Sequence, residues 1–370
     1  MKGKSAAILL SRQALRPSGT TAWIKQSVAA VRWVKNHQMT LCSSWGTQTW
    51  ELLTALASME KIPLIIFLPV TGDDFQQLKQ FITIQFELDS KLIRFVPICR
   101  ERKISKESRW HQRDQAVFKA ADILVPVSLR PDGFMNHCLH QQKLPGQIIE
   151  TGFLIDYGKR KRSLSYRLPV KDINPRLHRI KDKYLIHWTR TTNMAWPTEK
   201  LIDYYRAVIE SNDYPRSAFN TLINILMTRK IVASVKNMPS KTPTVSFSAL
   251  HPVEVLPLIK WRARFRHMSF EPYGVGIEKN HAYSMGVLPV HYYDREKDRP
   301  QAVNYFWLLQ SIGRKTDWQA EKEFRCLGDF DFSAVAKRWL CVFCYTPEEA
   351  DIIKRKTKIR PIPFLSRNST

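Results

Sequence analysis

The densest set of groups able to do chemistry in this chain is Glu-Lys-Glu-Phe-Arg at residues 321–325. The pattern predicts a strand over Glu321–Leu327. Side chains on a strand alternate, so Glu321, Glu323 and Arg325 fall on one face. A carboxylate fixed beside a guanidinium stays ionised, and it can stabilise positive charge as that charge develops in a transition state. The same row also suits a solvated strand face, since 25% of the residues are charged. Upstream, in chain order, stand His187 and Arg190 at the end of one predicted strand, Ser246 and Ser248 on another, and Tyr273 at the entry of a third. Taken singly, each of these reads as an ordinary structural residue.

A second group of candidates follows apolar runs in the first half. Arg12 lies in the turn Leu10-Ser11-Arg12-Gln13, Thr47 and Thr49 in Ser43-Ser44-Trp45-Gly46-Thr47-Gln48-Thr49, and Arg130 in Val127-Ser128-Leu129-Arg130-Pro131-Asp132-Gly133. Small hydroxyl residues leading into a helix can cradle a phosphate with backbone amides, and the two arginines can pair with it. Equally, Thr47 or Thr49 can be a plain helix cap. There is no GxGxxG and no Walker lysine. Phosphate binding and capping therefore stand side by side.

The elements that must position these residues follow from periodicity. Extended runs at 6–10, 39–43, 63–69, 92–98, 123–127 and 147–155 alternate with helical spacing at 21–35, 49–59, 75–86 and 113–121, which predicts an open, mostly parallel α/β sheet. In such a sheet ligands sit beyond the carboxyl ends of the strands, where all three turns lie. The second half reads as an α+β module. Its strands are predicted at 184–189, 244–247, 273–278, 287–292, 321–327 and 339–345, and its helices around 204–209, 218–227 and Tyr305–Leu309. The expected domains are 1–158, a basic linker at 159–183 that includes Lys159-Arg160-Lys161-Arg162, and 184–370.

On these residues the first half resembles the SLOG superfamily of Rossmann-like nucleotide-binding and nucleotide-sensing domains, which implies a nucleotide site at Arg12, Thr47, Thr49 and Arg130. The ordered set in the second half resembles the ADP-ribosyltransferase fold. Leu185-Ile186-His187-Trp188-Thr189 is similar to the opening of DarT-like DNA ADP-ribosyltransferases, and Trp318–Arg325 to a motif of AbiGi-type abortive-infection proteins. The resemblance implies NAD as substrate. It implies that His187 or Arg190 holds the NAD ribose, that Ser246, Ser248 and Tyr273 pack on the nicotinamide, and that Glu323 with Glu321 stabilises the oxocarbenium-like centre. It also implies a phage-defence or toxin effector acting on nucleic acid or protein. The competing expectation is a non-catalytic nucleic-acid-binding protein of the same fold.

Composition narrows the rest. The 370 residues carry 58 Lys and Arg against 33 Asp and Glu, a formal charge of +25, and both halves are basic. Such a balance favours anionic partners, nucleic acid or nucleotides. No apolar run approaches the ~20 residues that span a bilayer, so no membrane partner is expected. Six cysteines, scattered and without a signal segment, read as reduced thiols of a cytoplasmic protein. The single CxxC, Cys341 and Cys344, lacks a second pair for zinc and reads as strand packing. Asp294, Glu296 and Asp298 offer hard-cation ligands of the nuclease kind. Trp261-Arg262-Ala263-Arg264-Phe265-Arg266-His267 reads either as a strand grip or as a connector. HExxH and GxSxG are absent.

Overall fold

A computed structural model describes residues 3–70, 72–98, 106–141 (106–109 as backbone), 143–158, 163–235, 238, 241–294, 305–312 and 318–367. Cys99, the run Lys159–Arg162, Glu296 and Asp298 lie outside the described residues. The chain divides into two compact units, 1–162 with 199–215, and 163–198 with 216–370.

The first unit alternates β1 (Ser5–Leu10), α1 (Ala22–Asn36), β2 (Thr40–Ser44), α2 (Gln48–Glu60), β3 (Leu64–Leu68), α3 (Asp73–Gln85), β4 (Ile93–Pro97), α4 (Lys106–Ala120), β5 (Ile123–Ser128), α5 (Phe134–Gln141) and β6 (Ile148–Ile149). All six strands are parallel, in the order β4-β3-β2-β1-β5-β6. Ala6–Leu10 and Ile123–Ser128 are buried on both faces, which is why the central strands read as continuous apolar runs. The chain steps outward from β1 to β4 and then crosses back to β5. Right-handed crossovers therefore put α1 to α3 on one face, and α4 with α5 on the other. The direction reverses between β1 and β5, and it is there, at the carboxyl ends, that an α/β sheet opens a crevice. The helix α6 (Leu201–Glu210) completes this unit. Gly19 lets the chain meet it, because a Cβ there would fall 2.0 Å from the Ile209 carbonyl oxygen.

The second unit continues with β7 (Tyr184–Trp188), α7 (Ala218–Thr228), β8 (Lys230–Ile231), β9 (Thr244–Ser248), β10 (Trp261–Arg262), β11 (His267–Met268), β12 (Gly274–Glu278) and α8 (Lys279–Ser284). Then come β13 (Leu288–Pro289), β14 (His291–Tyr293), β15 (Leu309–Ser311), β16 (Glu323–Leu327), β17 (Phe330–Asp331), β18 (Leu340–Cys344), α9 (Pro347–Thr357) and β19 (Ile362–Pro363). Its main sheet runs β13-β16-β9-β7-β12-β18-β19, antiparallel except for the last pair. One face packs Leu185, Phe247, Val275 and Val342 under Leu222 of α7 and Ile353 of α9. The other buries Ile186, Trp188, Phe343 and Phe364. Cys341 and Cys344 are buried thiols of β18.

Three differences from the sequence reading bear on the candidate site. Tyr305–Leu309 is no helix: a 3-10 turn at Phe306–Leu308 leads straight into β15. The main-chain carbonyls of Trp307 and Leu309 are turned instead to the Arg325 guanidinium, a use that a helix interior would preclude. The expected strand 287–292 is split into β13 and β14. Finally, β16 starts at Glu323. Glu321 ends a 3-10 turn, and Lys322 takes a left-handed backbone (φ 44°), so Glu321 does not share the strand row.

Candidate active site

The row is built by pairing β16 with β9, which sets Glu323 opposite Ser248 and Arg325 opposite Ser246. Directly opposed residues share a face, so the two serines, the carboxylate and the guanidinium stand together. The Ser246 hydroxyl donates to Glu323 Oε1 at 2.7 Å. Arg325 Nε reaches the same oxygen, and Nη2 reaches Oε2, both at 2.9 Å, a fork geometry. Arg325 is 2% exposed. Its remaining donors go to Trp307 O, Leu309 O and the Gln310 side chain. The Glu323 amide donates to the Tyr292 hydroxyl. The carboxylate is thereby fixed at the sheet, one edge still in contact with solvent.

Glu321 stands beside this row by another route. Its carbonyl accepts from Ser248, and its carboxylate pairs with Arg262 at 3.1 Å. Burial pushes its carboxyl up, against the pull of Arg262 and Arg190, and nearby Glu323 pushes the same way. Two adjacent carboxylates thus sit in unlike surroundings, the pattern that divides acid from anion roles. The exposed Arg190 lies within electrostatic reach of both Glu321 and His187.

His187 has the other strand parity, since it opposes Val275 while Ile186 opposes Ser248. It joins the row through the backbone, with Nδ1 2.8 Å from Ser246 O. A carbonyl only accepts, so Nδ1 carries the proton and Nε2 is left as the basic nitrogen. Burial pushes this imidazole down to about 4, outweighing the Ser246 bond, with the Arg190 charge acting in the same direction.

The structure does not bring Tyr273 to this row. Its hydroxyl donates to Glu349 Oε1 at 2.8 Å, and Glu349 is the last member of the capping box that opens α9. Beside it, the buried Glu271 takes the Tyr166 hydroxyl together with the Thr191 amide and hydroxyl. Tyr273 is thus spent on fastening β12 to α9. The sequence does carry the signal for this, in Thr346-Pro347-Glu348-Glu349. Tyr292, Gln310 and the Glu321–Arg262 pair carry none, because they are joined only by tertiary pairing.

In the first unit the three turns do gather at the carboxyl ends of neighbouring strands. Ser11 N donates to Ser128 O, and Arg130 N donates to the Ser11 hydroxyl, both at 2.9 Å. Arg12 stands 5.5 Å from the ring of Trp110, with Arg113 on the same ring at 4.4 Å. Arg113 is spent on Asp114 and on Trp45 O. Arg130 is paired with Asp132 of its own turn, and Thr47 caps α2 through Trp50 N while sharing a hydrogen bond with Thr49. A groove of about 810 Å³ opens at the opposite, amino ends of the strands, beside Lys4, Thr40, Arg94 and Asp122, and none of the four candidates lines it.

Compared with protein-family models, curated proteins and solved structures, the chain matches none. Among the described residues no group of three or more His, Cys, Asp or Glu is placed to hold a metal, and no helix is long and apolar enough to cross a membrane.

Two outcomes follow from this geometry. Glu323→Gln leaves the buried Arg325 without a counter-charge, and is expected to cost about 3–5 kcal/mol. Glu323→Gln with Arg325→Met removes both charges and recovers most of it, read by urea unfolding; equal stability of wild type and the single variant would refute the pairing. His187 is neutral in the fold, while the unfolded chain protonates near 6.5. Its contribution is therefore complete above about pH 6.5 and is lost as pH falls towards 4. In His187→Gln the stability slope across that window should shrink by up to about 1.4 kcal/mol per pH unit, and an unchanged slope would contradict a half-buried imidazole held neutral by the fold.

Proposed function

We propose that this protein is a two-part, cytoplasmic phage-defence or toxin effector. In this reading the second unit is an ADP-ribosyltransferase-like enzyme of the DarT-like or AbiGi-type kind that consumes NAD. The first is a Rossmann-like, SLOG-type unit that binds or senses a nucleotide where β1 and β5 end. The observation that carries the reading is Glu323, a partly exposed carboxylate held by Ser246 and Arg325 on β16. Breaking the nicotinamide glycosidic bond puts positive charge on the ribose, and a preorganised carboxylate stabilises that charge more than it stabilises bound NAD. Arg190 supplies an exposed cation for the pyrophosphate, and Glu321, pushed up by burial, is suited to handling the acceptor's proton. His187 acts as a neutral hydrogen-bonding group for the ribose. Tyr273 has no part in this account, because its hydroxyl is engaged by Glu349.

One observation favours the alternative, a non-catalytic nucleic-acid-binding protein: both oxygens of Glu323 already carry hydrogen bonds from the protein. The two readings separate on turnover. Wild-type protein should release nicotinamide from NAD and transfer labelled ADP-ribose to total cellular nucleic acid or protein. Glu323→Gln with Arg325→Met, checked for folding, should lower that rate by ~10² to 10³, and His187→Ala should chiefly weaken NAD binding. Wild-type protein that neither binds nor consumes NAD would leave the binding reading standing.

A further inference from the structure

The hairpin of β10 and β11 turns through Ala263, Arg264, Phe265 and Arg266, all four exposed, with Arg266 left-handed at φ 55°. Phe265 is 41% exposed and stacks on His267, ring centres 5.7 Å apart and planes at 25°. The Arg264 guanidinium lies 5.7 Å from the same ring. Neither Arg264 nor Arg266 forms an ion pair among the described residues. From the tip, the contacts run inward without a gap. Phe265 meets Trp318 at 6.1 Å, Arg262 lies 4.7 Å from Trp318, and Arg262 pairs with Glu321 beside the Glu323 row.

An exposed ring backed by two half-buried ones, interleaved with guanidiniums that form no ion pair among the described residues, is complementary to one chemistry above others. Unpaired bases offer π-faces and their phosphates offer charge, whereas a duplex hides its base faces within the stack. We infer that this hairpin, with Trp318, grips a single nucleic-acid strand, bases stacked on Phe265 and phosphates paired with Arg264 and Arg266, and so presents the acceptor to Glu321 and Glu323. That the strand is an acceptor rests on the transferase reading above; that it is bound does not.

The test is fluorescence anisotropy of labelled single-stranded DNA, single-stranded RNA and duplex DNA of about 20 nucleotides, with the full chain and no NAD. Either single strand should bind more tightly than the duplex. Phe265→Ala should weaken binding about 10-fold, and Phe265→Trp should restore it. Arg264→Ser with Arg266→Ser should reduce the salt slope by about 1.4, roughly 0.7 for each phosphate lost. Equal or tighter duplex binding, an unchanged affinity in Phe265→Ala, or no binding at low salt would overturn the inference. Nicotinamide release is measured on the same preparations. Release without strand binding sinks this inference alone, and strand binding without release sinks the transferase reading alone.

Discussion

Arg325 is a guanidinium almost wholly removed from water, and a buried cation survives only where every donor finds a partner and the charge is matched. Glu323 supplies the charge, while Trp307, Leu309 and Gln310 take the remaining donors. This one requirement ties β16 to the segment that runs into β15. It also fixes the rotamer of Glu323 and leaves the Ser246 hydroxyl aimed at the carboxylate. The candidate chemistry depends on that fixing. A carboxylate free to swing would be solvated, and would have to be reoriented at a cost whenever positive charge developed beside it.

The unit carries two kinds of polar network. Glu271 and Tyr273, buried, with Tyr166 and Glu349, half-buried, form a set in which the carboxylates accept from neutral donors, and it secures the entry of α9 and the loop at Thr191. A second set pairs Glu321 with Arg262 and Glu323 with Arg325, has Arg190 within electrostatic reach, and keeps both carboxylates partly exposed. The first kind holds a fold together, and the second leaves charge within reach of solvent.

The alternation of strand and helix in the first half was legible because a parallel sheet buried on both faces writes itself as apolar runs, as in Ala6–Leu10 and Ile123–Val127. The gathering of Arg12, Thr47, Thr49 and Arg130 at one end follows from the same rule. In the second half alternation alone extends the Glu-x-Glu-x-Arg row two residues too far, because it cannot reveal that Lys322 breaks the strand with a left-handed backbone. The role of Tyr273 was hidden for a different reason. Its partner is 76 residues away, and only the capping motif at Thr346–Glu349 hints that this partner is occupied. The helix expected at Tyr305–Leu309 failed because the needs of Arg325 outweighed local spacing.

The central claim is that Glu323 and its neighbours face the ribose of NAD. A crystal structure of the full chain with a non-cleavable NAD analogue tests it most directly. The account predicts the nicotinamide ribose against Glu323 and Ser246, with the pyrophosphate at Arg190. An analogue bound only at the carboxyl ends of β1 and β5, or not bound at all, would contradict it.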